Sequence, residues 1–159
     1  VAGFVPVTVS GCAEPAGEDR GGPATGTVVV PVERVVDGDT IVVEYEGDSE
    51  YVRYIGIDTP ESVKPDSPVE CFGEESSDAN AELVADRDAR LVFGPELRDS
   101  FGRLLAYVYV SNVMVNAEMV RRGYAETLTI PPNDARSGLF ARLERQAREA
   151  GLGLWGACY

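Results

Sequence analysis

Five charged side chains, Asp39, Arg53, Asp58, Glu61 and Arg103, have the types and spacing to do chemistry together. Asp39 precedes one β-branched run and Asp58 follows the next, and the turn Glu46-Gly47-Asp48 lies about ten residues from each. A hairpin turned there returns both carboxylates to the same end of a sheet. Two converging carboxylates, with a backbone carbonyl and water, make a site for a hard cation such as calcium, which tolerates incomplete protein ligation. Arg53, inside the third strand, and Arg103, at the start of the fifth, supply guanidinium forks. Arg103 sits in the apolar run Phe101-Gly102-Arg103-Leu104-Leu105-Ala106-Tyr107-Val108, a costly place for a charge unless it faces a partner.

Each of these residues also has a purely structural reading. Asp37-Gly38-Asp39-Thr40 is, alone, a turn between strands, and Asp58-Thr59-Pro60-Glu61 a strand end followed by a proline turn. Two arginines near two acids can satisfy one another without catalysis. Strict alternation also sets Arg53 and Asp58 on opposite faces of one strand. They share a site only if that strand ends or bulges before Asp58, and a bulge at Gly56 is expected.

The rest of the composition narrows the chemistry. The chain has no histidine, which removes Ser-His-Asp and Cys-His catalysis and histidine-held metals. A general base must then be a carboxylate, a metal-bound water or something rarer. Cys12, Cys71 and Cys158 are far apart and form no CxxC, which argues against zinc and thioredoxin-like chemistry. The net charge of -13 repels phosphates at long range, so nucleic-acid chemistry on this chain depends on local arginines and on salt that screens the rest. Lys64 is the single lysine among 14 basic residues.

Strands to hold these side chains are expected over 27–36, 40–45, 51–57, 89–93 and 103–110. The stretch 58–72, with Pro60, Pro65 and Pro68, reads as a loop of functional length. Helices are expected over 74–86, after a Ser111 or Asn112 cap as far as Gly123, and through Leu139, Leu143 and Ala147 to Gly151. Short connections between the first three strands and the absence of early strand-helix alternation favour a small closed barrel, mainly β with α.

Residues 1–9 are apolar with one proline and run into Val9-Ser10-Gly11-Cys12, small residues before a cysteine that resemble a lipoprotein processing box. Cys12 would then be the lipidated residue and a membrane tether, with the signal itself truncated; a plain tail with a free thiol is the alternative. Residues 13–25 read as a disordered linker. The expected division is 1–25 for this segment and 26–159 for one globular domain, exported to the cell surface or beyond.

Three strings then resemble one family: Val36-Asp37-Gly38-Asp39-Thr40, Val52-Arg53-Tyr54-Ile55-Gly56-Ile57-Asp58-Thr59-Pro60-Glu61, and Phe101-Gly102-Arg103-Leu104-Leu105-Ala106-Tyr107. With Met114-Val115-Asn116-Ala117-Glu118-Met119-Val120-Arg121-Arg122-Gly123-Tyr124-Ala125 and Gly153-Leu154-Trp155, they are similar to the staphylococcal nuclease, or thermonuclease, family. The resemblance implies a five-stranded OB-fold barrel with three helices, acting as a monomer that cleaves DNA and RNA with calcium. It implies single-stranded or frayed substrate and products ending in a 3'-phosphate. Asp39 and Asp58 would be carboxylate ligands and Thr59 a backbone carbonyl ligand, with Asp37 behind them near water on the ion. Arg53 and Arg103 would hold the scissile phosphate, and Glu61 would orient or deprotonate the attacking water.

Where the family often has a lysine and a tyrosine before the glycine-arginine pair, this chain has Ser100 and Phe101, and the aromatics expected near Thr129 and Pro131 are missing. These departures predict a thinner nucleotide grip. A Cys71–Cys158 disulfide is expected, pinning the C-terminus to the junction of loop and first helix, as exported domains use such clamps. A non-catalytic OB-fold module binding nucleic acid or protein is the alternative function.

Overall fold

The computed structural model describes residues 26–159. In chain order its elements are β1 (Thr27–Val35), β2 (Thr40–Tyr45), β3 (Asp48–Tyr54), β4 (Ile57–Asp58), α1 (Gly73–Val84), β5 (Asp88–Arg98), β6 (Leu104–Val110), β7 (Val113–Met114), α2 (Val115–Arg121), β8 (Glu126–Thr127), α3 (Ser137–Glu149) and the single turn α4 (Leu154–Ala157). The main sheet runs β3-β2-β1-β5-β6-β7, and β3 also pairs with β6. That pairing is parallel and closes β1, β2, β3, β5 and β6 into the five-stranded OB-fold barrel, with α1, α2 and α3 against it.

Valine-rich alternation builds the barrel wall. On β3, Val52 and Tyr54 point into the core while Arg53 lies outside it, and on β6 Leu104, Ala106 and Val108 are buried around half-exposed Leu105. Met119 and Val120 of α2 and Phe140 of α3 join them in one continuous core. Glu46 and Gly47 both have positive φ, at 54° and 89°, as a two-residue hairpin loop requires. That turn sets Thr40 opposite Arg53 and fixes the register of the site.

Several boundaries differ from expectation. The third strand ends at Tyr54 rather than bulging through to residue 57. Gly56 turns the chain at φ 82°, where a Cβ would stand 2.5 Å from the Phe140 ring, and Ile57 and Asp58 then pair with β8 instead. Ser111 and Asn112 cap nothing. They hold left-handed turn positions at φ 48° and 64° between β6 and β7, and α2 starts three residues later with no side-chain cap. β5 continues past residue 93 across a register shift to Arg98, because Asn133 bonds both the N–H and the carbonyl of Glu96 and stands in for a neighbouring strand.

Cys71 and Cys158 are joined in a disulfide. This corrects the expected membrane tether: the disulfide consumes the thiols of the described residues, leaving none there to carry a lipid, and Cys12 lies outside them. Among the described residues no helix is long and apolar enough to cross a membrane.

Candidate active site

The turn before β2 is held from three sides. Asp37 Oδ1 accepts the Asp39 N–H at 3.0 Å, the Asx geometry by which aspartate shapes tight turns. Gly38 is needed because a Cβ there would lie 2.7 Å from the Thr59 hydroxyl. Thr59 thereby reaches Asp39 twice, donating from its backbone N–H at 2.8 Å and its hydroxyl at 3.0 Å to Oδ2. The Thr40 hydroxyl donates to Oδ1 at 3.0 Å. Asp39 is 5% exposed, and these donors keep its buried charge satisfied. Burial raises the carboxyl of Asp37 to about 6, and the charge of Asp39 adds to the shift.

Asn80 of α1 fastens this turn to the core, a role that nothing in the local sequence announces. Its amide donates to the Asp37 carbonyl at 2.8 Å, and its Oδ1 accepts the buried Tyr54 hydroxyl at 2.8 Å. Asn80→Ala strands a buried phenol and frees the turn, and is expected to cost about 2–4 kcal/mol. Urea unfolding measures this, and a loss below about 1 kcal/mol would show that solvent replaces both bonds.

Arg53 gathers the acids. Its Nε lies 3.2 Å from Asp39 Oδ1 and an Nη donates to Asp58 Oδ1 at 2.7 Å. The other Nη donates to the carbonyls of Tyr54 and Ile57 at 2.9 and 2.7 Å, so the guanidinium is braced by the same Gly56 turn that brings Asp58 back. Partial burial raises the Asp58 carboxyl above its ordinary value; Arg53 opposes the shift, while Asp39, Glu126 and Glu70 reinforce it.

Arg103 shares a face with Arg53. In the parallel pairing Arg53 lies opposite Leu105, so a residue two places earlier points the same way. Both arginines line one cavity of about 390 Å³, together with Ser100, Phe101, Leu128 and Ile130. Phe101 is 83% exposed, with its ring 5.4 Å from the Arg103 guanidinium. Asp99, which sequence reasoning missed, receives Arg103 Nε at 2.7 Å and turns the chain by accepting the N–H groups of Phe101 and Arg103. Its signal was the Asx pattern Asp99-Ser100-Phe101-Gly102. Leu128 and Ile130 line the cavity, rather than Thr129 and Pro131.

Glu61 is not joined to this group by a hydrogen bond. Its carboxylate accepts the Val63 N–H at 3.1 Å, at the mouth of the proline-rich loop. Asp39, Arg53, Asp58 and Thr59 are thus in direct contact, Arg103 meets Arg53 across the cavity, and Glu61 stands just beyond Thr59 and Pro60 in the chain. Among the described residues no group of three or more His, Cys, Asp or Glu side chains is arranged to hold a metal. The donors nearest Arg53 are all oxygens, the chemistry a hard cation with few protein ligands and several waters requires.

The family model described as Staphylococcal nuclease homologue matches residues 51–157. The chain is 38% identical over 124 residues to the thermonuclease of Staphylococcus intermedius, covering 78% of this chain and 74% of that protein. It is 35% identical over 122 residues to the thermonuclease of Staphylococcus hyicus, covering 77% and 72%. To the SPbeta prophage-derived endonuclease YokF of Bacillus subtilis it is 42% identical over 130 residues, covering 80% of this chain but 44% of that longer protein. With the barrel, the arginine pair and the acidic turn all in one chain, these matches show that it belongs to the staphylococcal nuclease family.

Proposed function

We propose that this chain hydrolyses phosphodiester bonds of DNA and RNA with calcium, acting outside the cell on single-stranded or frayed strands and leaving 3'-phosphate ends. Family membership supports thermonuclease-type nuclease activity in general. The observation that carries the finer reading is the pairing of Arg53, braced by Asp39 and Asp58, with Arg103 on one cavity wall.

A phosphodiester is already anionic, and attack on phosphorus adds charge to its oxygens. Arg53 and Arg103 would receive that charge through the planar N–H pairs of their guanidinium groups. Arg53 is preorganised for this by its two backbone carbonyl partners, whereas Arg103 exchanges its Asp99 contact for the phosphate. Asp39, Asp58 and the Thr59 carbonyl would hold calcium, which supplies positive charge beside the phosphate and makes water easier to deprotonate. Glu61 would orient the water and accept its proton, and the 5'-oxygen would leave. Ser100 and Phe101 would contact the strand beside Arg103, Phe101 by stacking on a base. The Cys71–Cys158 disulfide fits an oxidising, extracellular setting.

Heat-denatured DNA incubated with calcium and then with chelator, at low and at molar salt, tests the reading. Cleavage is expected with calcium alone, and absence of calcium-dependent cleavage at any salt overturns it. Glu61→Gln is expected to lower kcat by about 10²–10³-fold, and unchanged cleavage removes Glu61 from the chemistry. One observation favours a non-catalytic binding module instead: each arginine of the site already has a carboxylate partner. Retention of single-stranded DNA without cleavage in the same assay would establish that alternative.

A further inference from the structure

The loop that carries Glu61 does not hold its own shape. Residues 63–71 are exposed, and the one backbone hydrogen bond across its tip joins Ser67 to Lys64 at 3.3 Å. Its order comes from the neck. There Glu61 and Glu70 bond each other twice: the Glu70 N–H donates to the Glu61 carbonyl at 2.9 Å, and the Glu61 N–H donates to Glu70 Oε2 at 2.9 Å. Gly73 closes from behind, with its N–H on the Glu70 carbonyl and no room for a Cβ, which would stand 2.6 Å from the Glu61 oxygen.

The next residue after Glu70 is Cys71. Its disulfide partner Cys158 belongs to a C-terminal unit in which Leu154 and Trp155 are buried with Ala147 and the Leu154 N–H donates to the Gly123 carbonyl at 2.8 Å. A cavity of about 430 Å³ separates this unit from the acidic segment, with Asp58, Thr59, Pro60, Glu70 and both cysteines on its walls. Across that gap the neck is tied to α3 and α4 covalently by the disulfide, beside which Phe72 packs on the Ala147, Leu154 and Trp155 cluster.

We propose that Glu70, held in place by the Cys71–Cys158 disulfide, is the positioning residue for Glu61, so that opening the disulfide slows the chemical step. This rests on the reading of Glu61 as the residue that handles the attacking water. In this role Glu70 need touch neither substrate nor ion. It acts by fixing the backbone from which the Glu61 side chain projects, and a misplaced base loses rate while leaving strand binding to the arginines.

The test uses the full oxidised chain and a fluorescent single-stranded oligonucleotide. Glu70→Ala is expected to lower kcat about ten-fold with KM within about two-fold, and to speed hydrogen exchange at the Glu61 amide by a similar factor. Glu70→Gln keeps an oxygen that accepts the Glu61 N–H and is expected to restore kcat to within about two-fold of the parent. Dithiothreitol supplies two electrons and two protons, leaving as its cyclic disulfide while Cys71 and Cys158 become thiols. Assayed well below the melting midpoint, the reduced parent should lose kcat as Glu70→Ala does, recover it on reoxidation, and match a Cys71→Ser/Cys158→Ser variant that does not respond to the reductant.

A Glu70→Ala enzyme at full kcat, in a background where Glu61→Gln is inactive, overturns the clamp alone. Equal losses in Glu70→Ala and Glu70→Gln overturn it as well, by showing that the charge of Glu70 and not its acceptor oxygen matters. Full activity in Glu61→Gln overturns the underlying reading of Glu61 and this inference with it.

Discussion

Arg53→Lys is expected to lower kcat on heat-denatured DNA by about 10³-fold, the largest single effect on activity that the site offers. The substitution keeps the charge, so the loss measures geometry. Arg53 reaches Asp39, Asp58 and two backbone carbonyls from one rigid plane, and a lysine ammonium cannot meet those partners and a phosphate oxygen together. Without that bracing the cation no longer waits at the position where charge develops. Stability should fall far less than activity, because Asp39 keeps its three donors from Thr40 and Thr59. Initial rates with calcium, beside a thermal melt of the same sample, separate the two effects. A variant that retains more than about a tenth of the parent rate would show that charge alone suffices at this position and that the planar fork is dispensable.

How much of this site could be read from the chain depended on where each contact comes from. Asp39 and Arg53 were legible because one hairpin positions them, and its register follows from a Gly-containing turn and strict alternation, whereas Asp58 lies past that hairpin and pairs with β8. The face problem between Arg53 and Asp58 was legible too, but its resolution was not. The strand ends at Tyr54 rather than bulging, Gly56 then turns the chain at φ 82°, and Phe140 from distant α3 occupies the space a side chain there would need. Asn80 and Asp99 escaped notice for related reasons. The first acts across 43 residues on a carbonyl, and the second sits in a segment whose irregular register depends on Asn133. Ser111 and Asn112 misled because the same residues that cap helices also accept positive φ, and only the pairing of β6 with β7 decides between the two uses.

The Cys71→Ser/Cys158→Ser variant is expected to lose about 4–5 kcal/mol of stability, the largest single effect on folding. The cysteines are 87 residues apart, so the crosslink removes much of the freedom of an unfolded chain that must otherwise bring them together. For a domain of this size the melting midpoint should fall by roughly 15 °C, read by calorimetry in chelator so that metal binding adds nothing. The small cluster of Ala147, Leu154 and Trp155 is separate from the barrel core, so much of the loss should appear as early release of the C-terminal unit, seen as Trp155 fluorescence changing before the barrel melts. A midpoint within about 3 °C of the parent would mean that Phe72 and the Gly123 contact hold that unit without the crosslink. The comparison with Glu70→Ala then divides structure from chemistry: that variant keeps the disulfide and should lose rate without losing the midpoint. The Ser pair should lose both.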